Sequence, residues 1–328
     1  MRPLNGSLLL ALALLAGSSP AGYCAQTPPP GDFPNKSIRW IIPFPPGGSN
    51  DMLSRFLGAR LTDRLGQQLV IDNRAGANGA IGAEMVANAP PDGYTLLMIS
   101  TSFVMNAAVR RLPYDVEKSF DPVSMIGSSP NSIVVNPDAG IGSLRELVDR
   151  ARAKPGAINY AATGVGGFNH FGGELFKKVT GIDMVMVPYK GGAPAMIDVI
   201  SGQVPVMFTS VTQVLPNVRS GRIRMLAVGA AKRVAALPDI PTVAESGFPG
   251  YEVYVWWGVS APARTHRAAL DKLRREFTGV LKEPETHKLL AADAAEIRIV
   301  TPAEFRTLIH DDVKKWTSVA KEAGIRVQ

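Results

Sequence analysis

The 328-residue sequence contains a single cysteine, Cys24. One thiol excludes an internal disulfide and a thiolate metal cluster, so a stapled scaffold and a zinc ribbon both drop out. Charge is sparse too: charged residues are 19% of the chain, and 35 Lys+Arg against 28 Asp+Glu leave a formal +7. That excess is scattered, with no run of five basic residues and no zinc-finger, basic-zipper or RNA-recognition signature, so no nucleic acid partner is expected. Spanning-length apolar runs are also missing. Leu8 to Ala16 reads LLLALALLA, short of the roughly 20 residues a membrane helix needs. Behind Arg2 and ahead of small residues it fits a secretory signal peptide over residues 1–25, cleaved between residues 21 and 26. Tyr23 makes Cys24 a poor lipidation site. Residues 26–35, opening QTPPPG, read as a stiff leader, and an exported chain without disulfides suits a bacterial periplasm.

Catalytic constellations are equally scarce. The four histidines are His170, His266, His287 and His310, and there is no His-Glu-x-x-His, no Gly-x-Ser-x-Gly elbow and no phosphate-binding Gly-x-x-x-x-Gly-Lys-Ser/Thr. His170 and Glu174 share a helix face, which is half a metal site. Neither a metal nor a cofactor is expected.

What the chain does have is a regular alternation. Hydrophobic content of 46% supplies two ordinary cores. Short apolar runs alternate with segments of helical period, and glycine, proline, asparagine or aspartate marks the junctions. IRWIIPF, QLVIDNR, YTLLMIS, SIVVN, INYAA, MVMVPY, VPVMFT and IRMLAVG read as strands. Helices are expected near residues 50–65, 79–89, 143–153, 168–179, 193–201 and 211–219. This is α/β, with parallel strands and right-handed crossovers. After Ala230 a proline-rich passage leads into VYVWWGVSAP and two charged helical stretches. The return suggests a discontinuous first lobe, residues 36–123 plus 252–328, around a second lobe of residues 124–251. Two crossover strands between lobes leave a cleft at the glycine-rich turns that end the strands.

Three turns could serve that cleft. In Phe44-Pro45-Pro46-Gly47-Gly48-Ser49-Asn50-Asp51 the glycines let backbone approach a ligand, and the helix start favours an anion; a plain tight turn capped by Ser49 or Asn50 explains the residues equally well. The second, Thr163-Gly164-Val165-Gly166-Gly167-Phe168-Asn169-His170, is half of a dinucleotide fingerprint without its acidic partner, and His170 there fits a helix-start hydrogen bond. The third is Tyr189-Lys190-Gly191-Gly192, where Lys190 either reaches a carboxylate or stays solvated. Trp256 and Trp257 should face opposite sides of their strand.

At these turns the chain resembles a family. PFPPGGSND, DNRAGANGAIGAEMVANAPPDGYTLLM, LPYDVEKSFDPVSMI, YAATGVGGFNHFGGELFKK, VPYKGGAPAMIDVISGQVPVMF and LPDIPTVAESGFPGYE stand in the order seen in periplasmic solute receptors of tripartite tricarboxylate transporters, the Bug-type receptors. The resemblance implies a type II periplasmic binding protein: two Rossmann-like lobes, a hinge, and an interlobe cleft that captures a small organic carboxylate without catalysis. It also implies a monomer that delivers the acid to separate membrane components. Carried over by position, the ligand-binding residues are Phe44, Gly47, Gly48, Ser49 and Asp51 on one lobe. On the other they are Thr163, Gly164, Gly166, Asn169 and His170, with Tyr189, Lys190 and Gly191 beside them. Where the family commonly has hydroxyls, this chain has Gly167 and Phe168, which could close an apolar wall. Two alternatives stand: an exported hydrolase using Ser49 or Ser102 with a histidine, and a ligand sensor that passes its closed form to a sensor kinase.

Overall fold

The computed structural model describes residues 33–292 and 294–325; the expected signal peptide, Cys24 and most of the leader lie outside them. The chain opens with β1 (Ile38–Ile42), α1 (Ser49–Leu65), β2 (Leu69–Asn73), α2 (Ala80–Ala87), β3 (Thr95–Ser100) and α3 (Thr101–Val109). β1 pairs in parallel with β2 on one side and β3 on the other. Both faces of this sheet are covered, which is why IRWII reads as a nearly unbroken apolar run. Trp40 on β1 meets Phe277 edge-on at 5.4 Å.

β4 (Phe120–Val135) then runs for 16 residues, followed by α4 (Leu144–Ala153), β5 (Asn159–Ala162), α5 (Phe168–Thr180), β6 (Val185–Pro188), α6 (Gly192–Ile200), β7 (Val206–Ser210), α7 (Val211–Arg219) and β8 (Arg224–Val228). β5 lies between β6 and β7, all three parallel. In this half Phe208 packs between Tyr160 at 5.3 Å and Phe176 at 5.4 Å. The chain returns through β9 (Tyr254–Pro262), α8 (Arg267–Leu281), α9 (Pro284–Ala292), β10 (Glu296–Ile297) and α10 (Pro302–Glu322). Thr301 and Glu304 close a reciprocal capping box at the start of α10, with Pro302 at its first position.

Not every strand is parallel, as the alternation alone would suggest. β9 runs antiparallel to β3 and to β4, while β8 and β10 pair antiparallel with β4. SIVVN is only the last part of β4. Pro122 and Pro130 hide the rest from pattern reading because neither donates to a ladder, and register shifts at Pro122/Ser124 and Met125/Gly127 absorb the irregularity. β4 thereby belongs to both sheets: its residues through Pro130 pair with β9, and those from Asn131 pair with β7 and β8. At the transition the Asn131 amide donates to Val253, Val253 donates to Gly229, and Gly229 donates back to Asn131, at 2.8, 3.0 and 2.7 Å. Tyr251 Oη adds a 2.8 Å bond to Asn131 Oδ1. Two adjacent strands thus connect the halves, and no other backbone ladder ties them among the described residues.

Candidate functional site

Five strands end where a helix begins, and the beginnings of α1, α3, α5, α6 and α7 meet in one gap. Its walls include Phe44, Gly48, Ser49, Asn50, Ser100 and Ser102 from the first half, and Thr163, Phe168, Asn169, Gly192, Thr209, Ser210 and Gln213 from the second, with Val255 of β9 at the back. Helix starts carry partial positive charge and unpaired amides. No charged side chain lines the gap among the described residues. The field inside it therefore comes from peptide dipoles and neutral donors. The halves are closed on each other: the Phe168 amide donates to Ser102 Oγ at 3.2 Å. The space left between them is about 50 Å³.

The first turn separates into residues that build it and residues that face the gap. Gly47 takes a φ of +85°, and its amide donates to Asp51 Oδ2 at 3.0 Å. Asp51 also accepts from Arg55 Nε and Asn73 Nδ2. Burial pushes the Asp51 pKa up, but the bonds from Arg55, Gly47 and Asn73 outweigh it and hold it below the ordinary 3.8. Asp51 is an ionised staple inside the turn rather than a cleft residue. Gly48, as N-cap of α1, receives no side-chain cap, which leaves the amides that follow it directed at the gap. Ser49 Oγ accepts from Trp257 Nε1 at 3.3 Å, keeping its own proton to donate. Trp256 faces the other way, toward Asp312 Oδ2. Phe44 lines the gap, and its carbonyl accepts from Asn73.

The second turn divides in the same way. Gly164 donates to Ala162, and the Gly166 amide donates to His170 Nδ1 at 3.1 Å. His170 is buried and stands 3.9 Å from Glu174; burial, partly opposed by Glu174, lowers its pKa below 6.5 and keeps the ring neutral. Those three residues shape the turn. Thr163 and Asn169 face the gap. Thr163 Oγ1 donates to Asn169 Oδ1 at 3.1 Å, so the Asn169 amide nitrogen points onward. That nitrogen is buried and has no partner. Phe168 is buried and forms part of the wall.

In the third turn Tyr189 points into its own half, with its hydroxyl on Asp198 Oδ2 at 2.7 Å. Lys190 is exposed and is not part of the lining. Gly191 is buried against the opposite half, where a Cβ would meet Pro45 at 3.0 Å. Of the expected site residues, Phe44, Gly48, Ser49, Thr163 and Asn169 are brought together, whereas Gly47, Asp51, Gly164, Gly166, His170, Tyr189, Lys190 and Gly191 are not part of the wall. Sequence reading did not propose Ser100, Thr209, Ser210 or Gln213 at all, and weighed Ser102 only as a nucleophile. A signal was present: TLLMIS and VMFTS each end an apolar strand on hydroxyls with a helix directly behind.

A two-lobed α/β protein whose lobes share two central strands and close over a gap lined by helix starts is a type II periplasmic solute-binding protein. The sequence profile of the tripartite tricarboxylate transporter family receptor matches residues 53–325, and the chain belongs to that family. It is 36% identical to BugT of Bordetella pertussis over 299 residues, 90% of this chain and 92% of that protein. Among solved structures it is similar to the periplasmic binding protein BugD, with 31% identity and a TM-score of 0.86 over 90% of this chain and all of that one. R. palustris Rpa4515, solved with adipate, is 35% identical with a TM-score of 0.87, over 90% of this chain and 99% of that one.

Proposed function

We propose that this receptor captures a small organic carboxylate between its lobes and presents it, in the closed form, to separate membrane components of a tripartite tricarboxylate-type transporter. The single observation that carries the carboxylate reading is the unpartnered, buried Asn169 Nδ2 on a wall of helix starts and neutral polar side chains, among which Asn50 Oδ1 is likewise unpartnered. A buried donor without an acceptor costs about 1–3 kcal/mol, a cost that a ligand oxygen removes. The absence of an acidic side chain from the described wall argues against an ammonium group, and so favours simple acids over amino acids. Adipate, the acid bound by the R. palustris relative, fits that description. In this reading the protein acts in the periplasm as a monomer without catalysis. Lobe 1 spans residues 36–123 plus 252–328 and lobe 2 residues 124–251, with the pivot at Asn131 and Val253.

The hydrolase alternative needs a histidine on a cleft serine. Ser49 Oγ instead bonds the Trp257 indole and Ser102 Oγ the Phe168 amide, while His170 faces Gly166 and Glu174. Calorimetry with adipate, shorter diacids, monoacids and acidic amino acids tests the receptor reading. Asn169→Ala should weaken binding of the preferred acid by roughly 10- to 100-fold, the worth of one charge-assisted hydrogen bond, while the loss of the Thr163 bond lowers Tm by only a few degrees. Equal affinity in this variant, or a preference for amino acids, would overturn it.

A further inference from the structure

A space larger than the ligand gap lies behind the pivot among the described residues, an open groove of about 480 Å³, within the size range of small-molecule sites. Its relation to the gap follows from the pleat of the two connecting strands. Pro130 on β4 is paired with Tyr254 on β9, and the next pair is Ser129 with Val255. Consecutive residues of a strand point to opposite faces. Val255 lines the ligand gap, and Ser129 Oγ accepts from the first turn of α7; Pro130 and Tyr254 line the rear cavity. The two spaces are therefore the front and back of one hinge.

The rear walls come from different lobes. Lys232 and Val234 to Ala236 stand on the loop after β8, in the second lobe; His287, Ala291 and Ala295 stand on and after α9, in the first. Rotation about β4 and β9 that opens the front must bring these walls together. An occupant of the rear cavity opposes that motion and so favours closed lobes. Its chemistry is legible too. Alanines and Val234 offer an apolar body site, and among the described residues of the wall the charged side chains are Lys232, Arg233 and Glu296. Arg233 is already held by Glu245 and the Pro238 carbonyl, which leaves Lys232 as the cation for a ligand head.

We propose that the cavity behind the hinge is an effector site for a small organic anion with an apolar body, and that its occupation holds the receptor closed. By linkage, the effector and the cleft ligand then tighten each other's binding by the same factor. The coupling rests on the closing-lobe reading above, while occupation of the site does not.

The test uses 8-anilinonaphthalene-1-sulfonate, which has an apolar body and an anionic head. The mature protein should bind it saturably, with enhanced fluorescence. Ala236→Trp and Ala291→Trp, at exposed positions on opposite walls, should each abolish that signal. Lys232→Glu should weaken it roughly tenfold, as reversing a charge beside an anion does. In small-angle scattering without any cleft ligand, saturating dye should lower the radius of gyration. Undiminished fluorescence in both tryptophan variants would remove the site. Dye binding at the site with an unchanged or larger radius would remove the coupling and leave the carboxylate reading of the front cleft standing.

Discussion

Gly48 lies at the N-cap of α1 with φ −88° and ψ 170°, a conformation any residue can take. A Cβ built there meets nothing within 4 Å, so its glycine is not required by the fold. Because Gly48 lines the gap, valine methyls would occupy the space over the unpaired amides of the helix start. Gly48→Val should cost binding at least about tenfold, the loss of one charge-assisted bond or more, with Tm shifted by less than about 2 °C. Calorimetry and thermal melting on the same sample separate the two effects. Gly47 next to it is a different case, since its φ of +85° is one that side chains rarely adopt. Two adjacent glycines thus serve separate ends, one shaping the turn and one leaving it bare.

At the level of the element, the turn before α5 is held by a neutral imidazole, and that has a pH consequence. His170 is buried, with Glu174 and Lys177 as the charged groups near it. Its folded pKa is lowered, whereas in the unfolded chain it takes up a proton near 6.5. Between those values the unfolded state binds more protons, so this contribution to stability is intact above about pH 6.5 and declines as pH falls below it. Protonation would also remove the acceptor of the Gly166 amide. His170→Asn keeps an acceptor without the titration, and its Tm should fall less than the parent's between pH 7.5 and 5.5; parallel curves would show that His170 is not the group responsible. This turn also shows what a sequence can disclose. Strand, glycine turn and helix were legible from Asn159 to Thr180 because each step changes local chemistry. α3 escaped because TSFVMNAAV follows β3 with no glycine or proline between them, and β4 escaped because its prolines mimic a loop. Ser100, Thr209, Ser210 and Gln213 escaped for another reason: only the convergence of several helix starts makes an ordinary hydroxyl part of a wall, and convergence is tertiary.

For the whole molecule, the proposed capture requires the two halves to meet, and Gly191 tests that without touching the ligand wall. Its φ of 172° is extended backbone that any residue accepts, so a substitution is unstrained within its own lobe. Across the gap, however, a Cβ would stand 3.0 Å from the Pro45 ring, closer than most real contacts, and a valine's methyls would reach further. Neither partner can yield easily, because the proline is fixed in its turn and Gly191 precedes a helix that starts at once. Gly191→Val should therefore act as a wedge. The isolated lobes keep their packing, so Tm without ligand should change little, while the closed form becomes harder to reach. Apparent affinity falls by the factor that the closed population falls. Scattering should show the parent contracting when its acid is added and the variant contracting less at saturation. If the variant binds and contracts like the parent, the contact of Pro45 with the 191–193 turn is incidental, and closure is governed by the ligand and the hinge strands alone.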